Sequence, residues 1–363
     1  MSTYKIVGLM SGTSLDGLDL AYCQLVEKNG KWDFKLLKTK SIGYEADMRE
    51  RLKNAIFLDG KALLLLHNQY GIWLGKQALR FIEADAPDVD VIASHGHTSH
   101  HQPGLGLTFQ LGSGQHLATT SGRPVVSDFR TLDIVLGGQG APLVPIGDQL
   151  FFSAYSHCLN LGGISNVSFE YNGSRVAYDI GLANMLLNFI AQKTGLSFDS
   201  NGDLARKGTL LPELFKRLNN LEYYGLPFPK STGYEWFLRE VVPVIDETDA
   251  SIEDLLHTAV HHICEQVAFQ LRLYDAGPKK RLLVTGGGAL NGFLIEVLKE
   301  RVGPEFEVEL PGAALIEFKE ALVFALMGAL RLESRINVLR SVTGASRDSS
   351  SGVIYYPWPG KLM

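Results

Sequence analysis

The sequence predicts a mixed α/β protein whose two similar domains face each other across a cleft. Strand-like and helix-like stretches alternate along the chain, which favours an α/β fold. A group of three strands with a glycine- and serine-rich first turn occurs twice, with LMSGTSLDG at 9–17 and LNLGGISNV at 159–167. A chain of 363 residues also exceeds the size at which one hydrophobic core keeps growing. We expect a first domain at 1–135, completed by 343–363, and a second at 136–342.

The first domain is expected to open with three strands. Residues 5–10, 18–26 and 34–38 are apolar or alternating runs separated by turn residues. Residues 61–84 carry apolar side chains at three- and four-residue spacing, which predicts a long helix. The other predictions here are a buried strand within 88–98 that ends in a polar loop, a helix at 114–122 and a strand at 123–129.

The pattern restarts after the glycine- and proline-rich segment 136–145, where the second domain begins. Its predicted elements are strands at 157–161, 164–171 and 174–180, helices at 182–194 and 252–276, a strand from 280, and helices at 291–301 and 317–335.

Composition indicates an ordinary globular protein, with 45% hydrophobic and 20% charged residues. A net charge of -5 argues against a nucleic-acid partner, which would require a basic surface. Three widely separated cysteines offer neither a disulfide framework nor a zinc ribbon. No signal peptide or membrane-spanning stretch is recognisable, so we expect a cytoplasmic protein without a membrane partner.

Two glycine-rich turns at equivalent places in the two halves are candidate phosphate sites. Backbone N–H groups in a tight turn form a concave anion site, and glycine lets the ligand approach closely. One such turn alone is more simply a hairpin connection. Two of them, at 12–17 and 162–165, favour a phosphate clamp.

A third glycine run, at 286–288, follows a predicted strand and opens a predicted helix, where backbone N–H groups stabilise anions. Its spacing is not that of a dinucleotide-binding fingerprint, and the chain contains no P-loop motif.

Asp179 lies at the end of a predicted strand, just before a helix. An acid there either caps the helix or acts as a general base. The local sequence favours the cap.

Histidines crowd into SHGHTSHH at 94–101. The spacing of His95 and His97 is compatible with two metal ligands, but no carboxylate-rich cluster accompanies them. Polar histidines that bind a substrate or one another are favoured, and no metal site is predicted in the protein itself.

The segment 128–145 combines Asp128, Arg130, Asp133 and Gln139 with glycines. Such a loop suits recognition of a polyol, whose hydroxyls each require donors and acceptors. A connection between domains held by an Asp–Arg pair is equally consistent with this composition.

Several motifs together resemble the anhydro-N-acetylmuramic acid kinase family. They occur in the order of that family, from Gly8 to about Arg347, and their combination is specific. The motifs are GLMSGTSLDGLD, TFQLGSGQHLA, VVSDFR, GGQGAPLVP, LNLGGISNVS, PFPKSTGYEWF, VTGGGALN, KEALVFAL and SVTGASR.

The resemblance implies the actin-like ATPase fold, with two ribonuclease-H-like domains and ATP bound between them. It also implies the reaction. Water opens the 1,6-anhydro ring of a recycled cell-wall amino sugar while the γ-phosphate of ATP moves to O6, with Mg²⁺ as the accompanying ion. N-acetylmuramic acid 6-phosphate and ADP are the products, and a homodimer is an open expectation.

Residue roles follow from the same resemblance. Asp179 matches the aspartate of the family motif DTGPGN and becomes the expected general base, which reverses the local ranking. Nucleotide binding is expected of Gly12, Thr13, Ser14, Leu15, Asp16, Gly17, Leu18, Asp19, Gly162, Gly163, Gly286, Gly287 and Gly288. Sugar binding is expected of His95, His97, Asp128, Arg130, Asn184 and Glu320.

The chain departs from the family pattern at two motifs. Ile180, Leu182 and Ala183 replace the Thr, Pro and Gly of DTGPGN, and His97 replaces the Gln of HGQT. Two alternatives therefore stay open. One is a kinase of the same fold that acts on a different sugar, and the other is an actin-like nucleotide-binding protein without kinase turnover.

Overall fold

The computed structural model describes residues 1–274 and 280–357, and the chain divides into two compact units. Unit 1 comprises Met1–Phe151 and the chain from Phe318 onward, and unit 2 comprises Phe152–Glu317. Residues 136–151 and 318–342 thus group with unit 1, whereas the sequence analysis placed them in the second domain.

Unit 1 is built on a seven-stranded mixed sheet. Its strands are β1 (Ser2–Ser11), β2 (Leu18–Lys28), β3 (Lys31–Ile42), β4 (Val91–Gln102), β5 (Leu107–Leu111), β6 (Val125–Ser127) and β12 (Val353–Tyr355). The order is β3-β2-β1-β4-β6-β12, with β5 paired to β4. Strands β1, β2 and β3 form an antiparallel meander, and β4 and β6 run parallel to β1.

Helices cover this sheet on both faces. They are α1 (Ala46–Lys53), α2 (Gly60–Asp85), α3 (Gly114–Ser121), α4 (Thr131–Val135), α5 (Pro145–Phe151), α13 (Ala313–Leu332) and α14 (Arg340–Thr343). Buried side chains of α2, such as Tyr70 and Leu74, join Val7 and Leu9 of β1 in one core. On the other side, α13 lies so close to β1 that a Cβ atom on Gly8 would be 1.9 Å from the Ala321 carbonyl oxygen.

Unit 2 contains a five-stranded sheet of order β11-β10-β7-β8-β9. Its strands are β7 (His157–Leu161), β8 (Ile164–Tyr171), β9 (Ser174–Leu182), β10 (Lys280–Thr285) and β11 (Phe306–Glu309). Its helices are α6 (Asn184–Gln192), α7 (Pro212–Asn219), α8 (Glu222–Gly225), α9 (Tyr234–Trp236), α10 (Val242–Asp246), α11 (Ile252–Leu273) and α12 (Gly292–Val302). The apolar side of α11 fills a separate core with the strands and α12.

The two sheets share one topology. In each, an antiparallel meander is followed by two strands parallel to the first, so the order is third, second, first, fourth, fifth once β5 and the edge strand β12 of unit 1 are set aside. This is the ribonuclease-H-like arrangement, present twice. The predicted α/β fold with duplicated domains, as in actin-like ATPases, is confirmed, and the cleft stays a prediction.

Several elements differ from the sequence prediction. The polar loop expected after the strand at 88–98 is instead a continuation of β4 to Gln102, paired with β5. The long region between α6 and α11 is helical in several short pieces, for which single-segment periodicity gave no signal. The predicted helix at 252–276 ends at Leu273 in the described residues, and its last two positions lie outside them. Across the described residues, no helix has both the length and the apolar character needed to cross a bilayer.

Candidate active site

The first predicted phosphate turn connects β1 to β2 at 12–17. Its solvent-exposed side chains are Thr13, Ser14 and Asp16. Leu18, in contrast, is 1% exposed and belongs to the core with β1. The side chain of Leu18 is therefore committed to packing, and only its main chain is available to a ligand.

The backbone of this turn is tightly constrained. Leu15 has a positive φ of 60°, which side-chain-bearing residues seldom adopt and which clusters at functional sites. A Cβ atom on Gly17 would lie 2.4 Å from the Ile42 carbonyl oxygen, so only glycine fits. Ser41 donates a hydrogen bond of 2.5 Å to Asp19 at the start of β2. The turn thus has a fixed shape and presents polar groups to solvent.

His95 and His97 contact opposite faces of the unit 1 sheet. The ring of His95 packs on Phe324 of α13, and that of His97 contacts Tyr70 of α2. Residues two apart on a regular strand share a face, but β4 carries an extra residue at Gly96, whose φ is 75°. This bulge reverses the alternation. The two rings therefore do not converge on one ion, as the metal alternative would require.

Both nitrogens of the His95 ring are engaged within the protein. Nδ1 lies 2.9 Å from the Gly96 carbonyl oxygen, while Nε2 accepts from Nε (3.0 Å) and Nη2 (2.8 Å) of Arg130. Burial, and then the charge of Arg130, lower the pKa of His95 well below its usual value, so the ring is neutral. His95 positions Arg130.

Arg130 is a positively charged residue of unit 1 that contacts the predicted site residue His95. Nη1 donates to the Gly140 carbonyl oxygen at 2.5 Å. Burial lowers its pKa to about 10, opposed by the charges of Glu320 and Asp133, so it remains charged at neutral pH. Of the five guanidinium donors, these contacts use one on each nitrogen, and one donor on each terminal nitrogen remains for an anionic or hydroxyl-bearing ligand.

Glu320 on α13 shares this electrostatic environment. Its side chain is open to solvent, yet the surrounding protein raises the pKa of its carboxyl group, as do the charges of Asp19 and Asp16, against the opposing effect of Arg130 and Lys319. The predicted sugar-binding Glu320 and Arg130 and the predicted nucleotide-binding turn thus lie within interaction distance of one another.

A buried carboxylate shapes the glycine-rich loop after α4. Asp133 is fully buried and accepts hydrogen bonds from the Gly140 N–H and the Thr343 hydroxyl, each at 2.7 Å. It therefore organises the loop that supplies the Gly140 carbonyl to Arg130, which is a structural role. Asp128 has a positive φ of 60°, and its carboxylate accepts from the Thr131 N–H at 3.3 Å.

In unit 2, the turn at Gly162 and Gly163 is bonded to the start of α6. The Gly163 carbonyl accepts from Ala183 and Met185, and the Gly162 carbonyl accepts from Asn184. The first N–H groups of α6 are thereby satisfied. Asn184 also donates through Nδ2 to the Leu161 carbonyl oxygen at 3.0 Å, which fixes its amide beside the turn.

The glycine run at 286–288 does not open a helix directly, contrary to the sequence prediction. It enters a short 3-10 turn, Gly287–Leu290, and α12 begins afterwards with Asn291 as its cap. A Cβ atom on Gly286 would lie 2.8 Å from the Leu161 carbonyl oxygen. A Cβ atom on Gly288 would lie 2.7 Å from the Cβ atom of Leu161. The run therefore packs against the end of β7, next to the turn at Gly162, and Gly287 is exposed.

Asp179 lies within β9 and is half-buried. Its Oδ2 accepts a hydrogen bond from the Thr232 N–H at 3.1 Å, its own N–H donates to the Lys230 carbonyl at 3.2 Å, and Tyr223 donates to its carbonyl at 2.7 Å. Burial raises its pKa to about 6, against the lowering effect of the Thr232 hydrogen bond. It does not cap α6, because no side-chain cap bonds that helix. Such a carboxylate suits a general base.

The three residues near Asp179 that differ from the family motif occupy core positions. Ile180 and Ala183 are fully buried and Leu182 is 2% exposed, and all three belong to the unit 2 core. Ile180 is the extra residue of a bulge between β8 and β9. These substitutions therefore alter the packing behind the carboxylate rather than the groups that contact it.

Sequence reasoning missed the residues that hold Asp179. Lys230 is 9% exposed, its Nζ lies 3.4 Å from the Tyr223 and Tyr224 carbonyl oxygens, and it stands 4.9 Å from the centre of the Tyr223 ring. Burial lowers the pKa of Lys230 to about 8. The only sequence signal was the motif PFPKSTG, to which no role was assigned.

Comparison with known proteins identifies the family. A family model described as anhydro-N-acetylmuramic acid kinase matches residues 4–357. A protein of that name from Vibrio cholerae is 34% identical over 97% of this chain and 98% of its own length. Another, from Gloeobacter violaceus, is 35% identical over 96% of this chain and 98% of its own. Because these matches span almost the whole of each sequence, the chain belongs to the anhydro-N-acetylmuramic acid kinase family.

Proposed function

We propose that this protein catalyses the reaction for which its family is named, ATP-dependent hydrolytic phosphorylation of 1,6-anhydro-N-acetylmuramic acid in peptidoglycan recycling. As a member of this family it is a sugar kinase that uses ATP. The observation that carries the proposal is Asp179, a half-buried carboxylate with one oxygen fixed by the Thr232 N–H and a pKa raised to about 6. Efficient general bases have pKa values near the working pH.

The proposed chemistry balances as follows. The oxygen of a water molecule forms a bond to the anomeric carbon, and the proton of that water passes to Asp179. The bond from the anomeric carbon to the bridging O6 breaks, and O6 bonds to the γ-phosphorus of ATP while ADP leaves. The products are N-acetylmuramic acid 6-phosphate and ADP.

We assign the phosphates to backbone N–H groups of the fixed turn at 12–17, supplemented by the turn at Gly162 and Gly163 and by the exposed Gly287. Mg²⁺ would neutralise phosphate charge when bound. Among the described residues, no three His, Cys, Asp or Glu side chains gather to hold a metal on their own. Asp16 and Asp19 fit the usual Mg²⁺ mode, in which one or two carboxylates act together with substrate phosphates and water.

We assign the sugar to Arg130, Glu320, Asp128 and Asn184. The remaining guanidinium donors of Arg130 match a carboxylate, and muramic acid carries one on its lactyl group. We assign supporting roles to His95 and His97, because His95 accepts from Arg130 and Nδ1 of His97 lies within hydrogen-bond distance of Ser11. The three free cysteines are buried, which accords with a cytoplasmic location.

Mass spectrometry after incubation with ATP and anhydro-N-acetylmuramic acid tests the proposal. We expect a product heavier by one water and one phosphoryl group. The control is Asp249→Asn, which removes an exposed carboxylate of unit 2 outside the proposed site and should leave the yield unchanged. Product from another anhydro sugar alone would support the altered-specificity alternative, and ATP binding without any sugar product would support the non-enzymatic one.

A further inference from the structure

A buried chain of hydrogen bonds runs beneath the turn at 12–17. The Ser11 hydroxyl lies 3.3 Å from Nδ1 of His97 and 2.6 Å from the Tyr44 hydroxyl, which lies 2.7 Å from the Tyr70 hydroxyl. All four side chains are buried, with Ser11 at 1% and His97 at 4% exposure. We call these four residues the turn support.

The turn support meets the turn at its first residue. Ser11 is the last residue of β1 and pairs with His97 of β4, so the Gly12 backbone continues directly from the bonded serine. Burial lowers the pKa of His97 to about 4, and the neighbouring Gly12 backbone opposes part of this shift. The ring is therefore neutral at neutral pH, and a neutral imidazole offers one donor and one acceptor.

The His97 ring and Arg130 lie on opposite sides of the unit 1 sheet. The ring stands edge-on to Tyr70 at 6.4 Å between ring centres, on the α2 side of the sheet, whereas Arg130 is bound to His95 beside Phe324 on the α13 side. The bulge at Gly96 separates the two.

We propose that His97 is a positioning residue for the nucleotide, which holds Gly12 and the following turn in their binding conformation through the turn support. This rests on the proposed function, since it takes the turn at 12–17 as the phosphate site. The position that carries Gln in the family motif thus keeps a neutral donor and acceptor, supplied here by imidazole.

Isothermal titration calorimetry of three variants of the full chain, with ATP and with anhydro-N-acetylmuramic acid separately, tests this proposal. His97→Leu removes the ring nitrogen that contacts Ser11, and we expect about fivefold to tenfold weaker ATP binding, the effect of roughly one hydrogen bond. Sugar affinity in the absence of ATP should change less than twofold. His97→Gln restores a donor and an acceptor and should recover ATP affinity to within about twofold.

Tyr44→Phe serves as the control for a folding defect, because it removes only one hydroxyl oxygen from the turn support and keeps the aromatic ring. It should weaken ATP binding in the same direction by about twofold to threefold, with no change for the sugar. Steady-state kinetics should show the same split, with KM for ATP raised and KM for the sugar unchanged.

The result that overturns the proposal is a His97→Leu protein that binds ATP like the wild type, or one whose sugar affinity falls instead. Failure of the underlying function looks different. In that case the wild type itself would not bind ATP, or Gly17→Ala would leave ATP affinity unaltered, although its Cβ atom would stand 2.4 Å from the Ile42 carbonyl oxygen and distort the turn.

Discussion

At the scale of single residues, the environment of Asp179 decides its chemistry. Burial raises the pKa of the carboxyl to about 6, so at neutral pH the group is ionised but basic enough to take a proton from water. The Thr232 N–H holds one oxygen and leaves the other for a reactant. Burial thus makes the carboxylate a better base, and it also makes the ionised form unfavourable for the stability of the folded protein.

The pH dependence of the reaction should report this carboxylate. We expect kcat/KM for the sugar to fall tenfold per unit as the pH drops below about 6, because the protonated acid no longer accepts the proton. Initial rates between pH 4.5 and 8.5, with ATP saturating, provide the measurement. A flat profile down to pH 4.5 would contradict the assignment.

Asp179→Asn should lose most of its turnover and keep its nucleotide. We expect kcat to fall by about 10²- to 10⁴-fold, the usual contribution of a general base, while ATP affinity stays within a few-fold. The amide oxygen of asparagine can still accept the Thr232 hydrogen bond, so the local structure should persist. Turnover near the wild-type rate would mean that another group removes the proton.

The same variant should be more stable than the wild type at neutral pH. The folded-state pKa of about 6 exceeds the ordinary 3.8, so ionised Asp179 disfavours folding above pH 6, and this penalty disappears as the pH falls to about 4. We expect Asp179→Asn to gain roughly 2 kcal/mol in the free energy of unfolding at pH 7.5 and almost nothing at pH 4. Urea unfolding at both pH values measures the difference, and an equal gain at both would point to a packing effect.

At the scale of elements, close backbone contacts set the positions of the site residues. Helix α13 carries Glu320 and packs directly on β1, which is possible because Gly8 has no side chain. The bulge at Gly96 sends His95 toward α13 and His97 toward α2. One strand thereby supports Arg130 on one face and the turn at 12–17 on the other.

Gly8→Ala should disrupt this packing. The new Cβ would stand 1.9 Å from the Ala321 carbonyl oxygen, and a backbone atom cannot rotate away, so we expect a loss of roughly 3 kcal/mol or more in stability. Thermal unfolding measures it. The matched control is Gly60→Ala in the first turn of α2, where a Cβ meets nothing within 4 Å and alanine should be neutral or slightly stabilising. Equal melting temperatures for the two variants would show that α13 does not pack as described.

At the scale of the whole molecule, the two compact units are not simply the first and second halves of the chain. Unit 2 is one continuous segment with its own core. Unit 1 is assembled from two segments, because β12 pairs with β6 and the part of α13 after Glu317 packs on β1. The segment from Phe318 to Tyr355 is thus part of the fold that begins at Met1.

Truncation should expose this asymmetry. We expect a fragment of residues 152–317 to be helical by circular dichroism and to unfold cooperatively, since its core is contained within it. A chain that stops at residue 317 should keep unit 2 protease-resistant but lose unit 1, whose α13 face would be bare. Limited proteolysis of both proteins provides the measurement, with the full chain as reference. A resistant unit 1 in the shortened chain would contradict this.

Much of the fold around the candidate site was predictable from local sequence. Hydrophobic periodicity located the strands around both turns and the helices α2, α11 and α12, because these segments bury one face regularly. The family motifs indicated Asp179, Arg130 and the glycine turns. Sequence did not reveal β5, β11 or the short helices between α6 and α11, since such short elements depend on tertiary contacts rather than on their own periodicity.

The sequence by itself determined the duplicated α/β pattern, the family and the choice of candidate site residues, because these reside in residue types and their order along the chain. Only the tertiary structure decided what those groups do to one another. It brought the Thr232 N–H within hydrogen-bond distance of the Asp179 carboxylate, although 53 residues separate them. It also directed His95 and His97 to opposite faces of the sheet and buried Ile180 in the core. Pairing register, bulges and burial arise from contacts between distant segments, and these fix the charge and direction of each side chain.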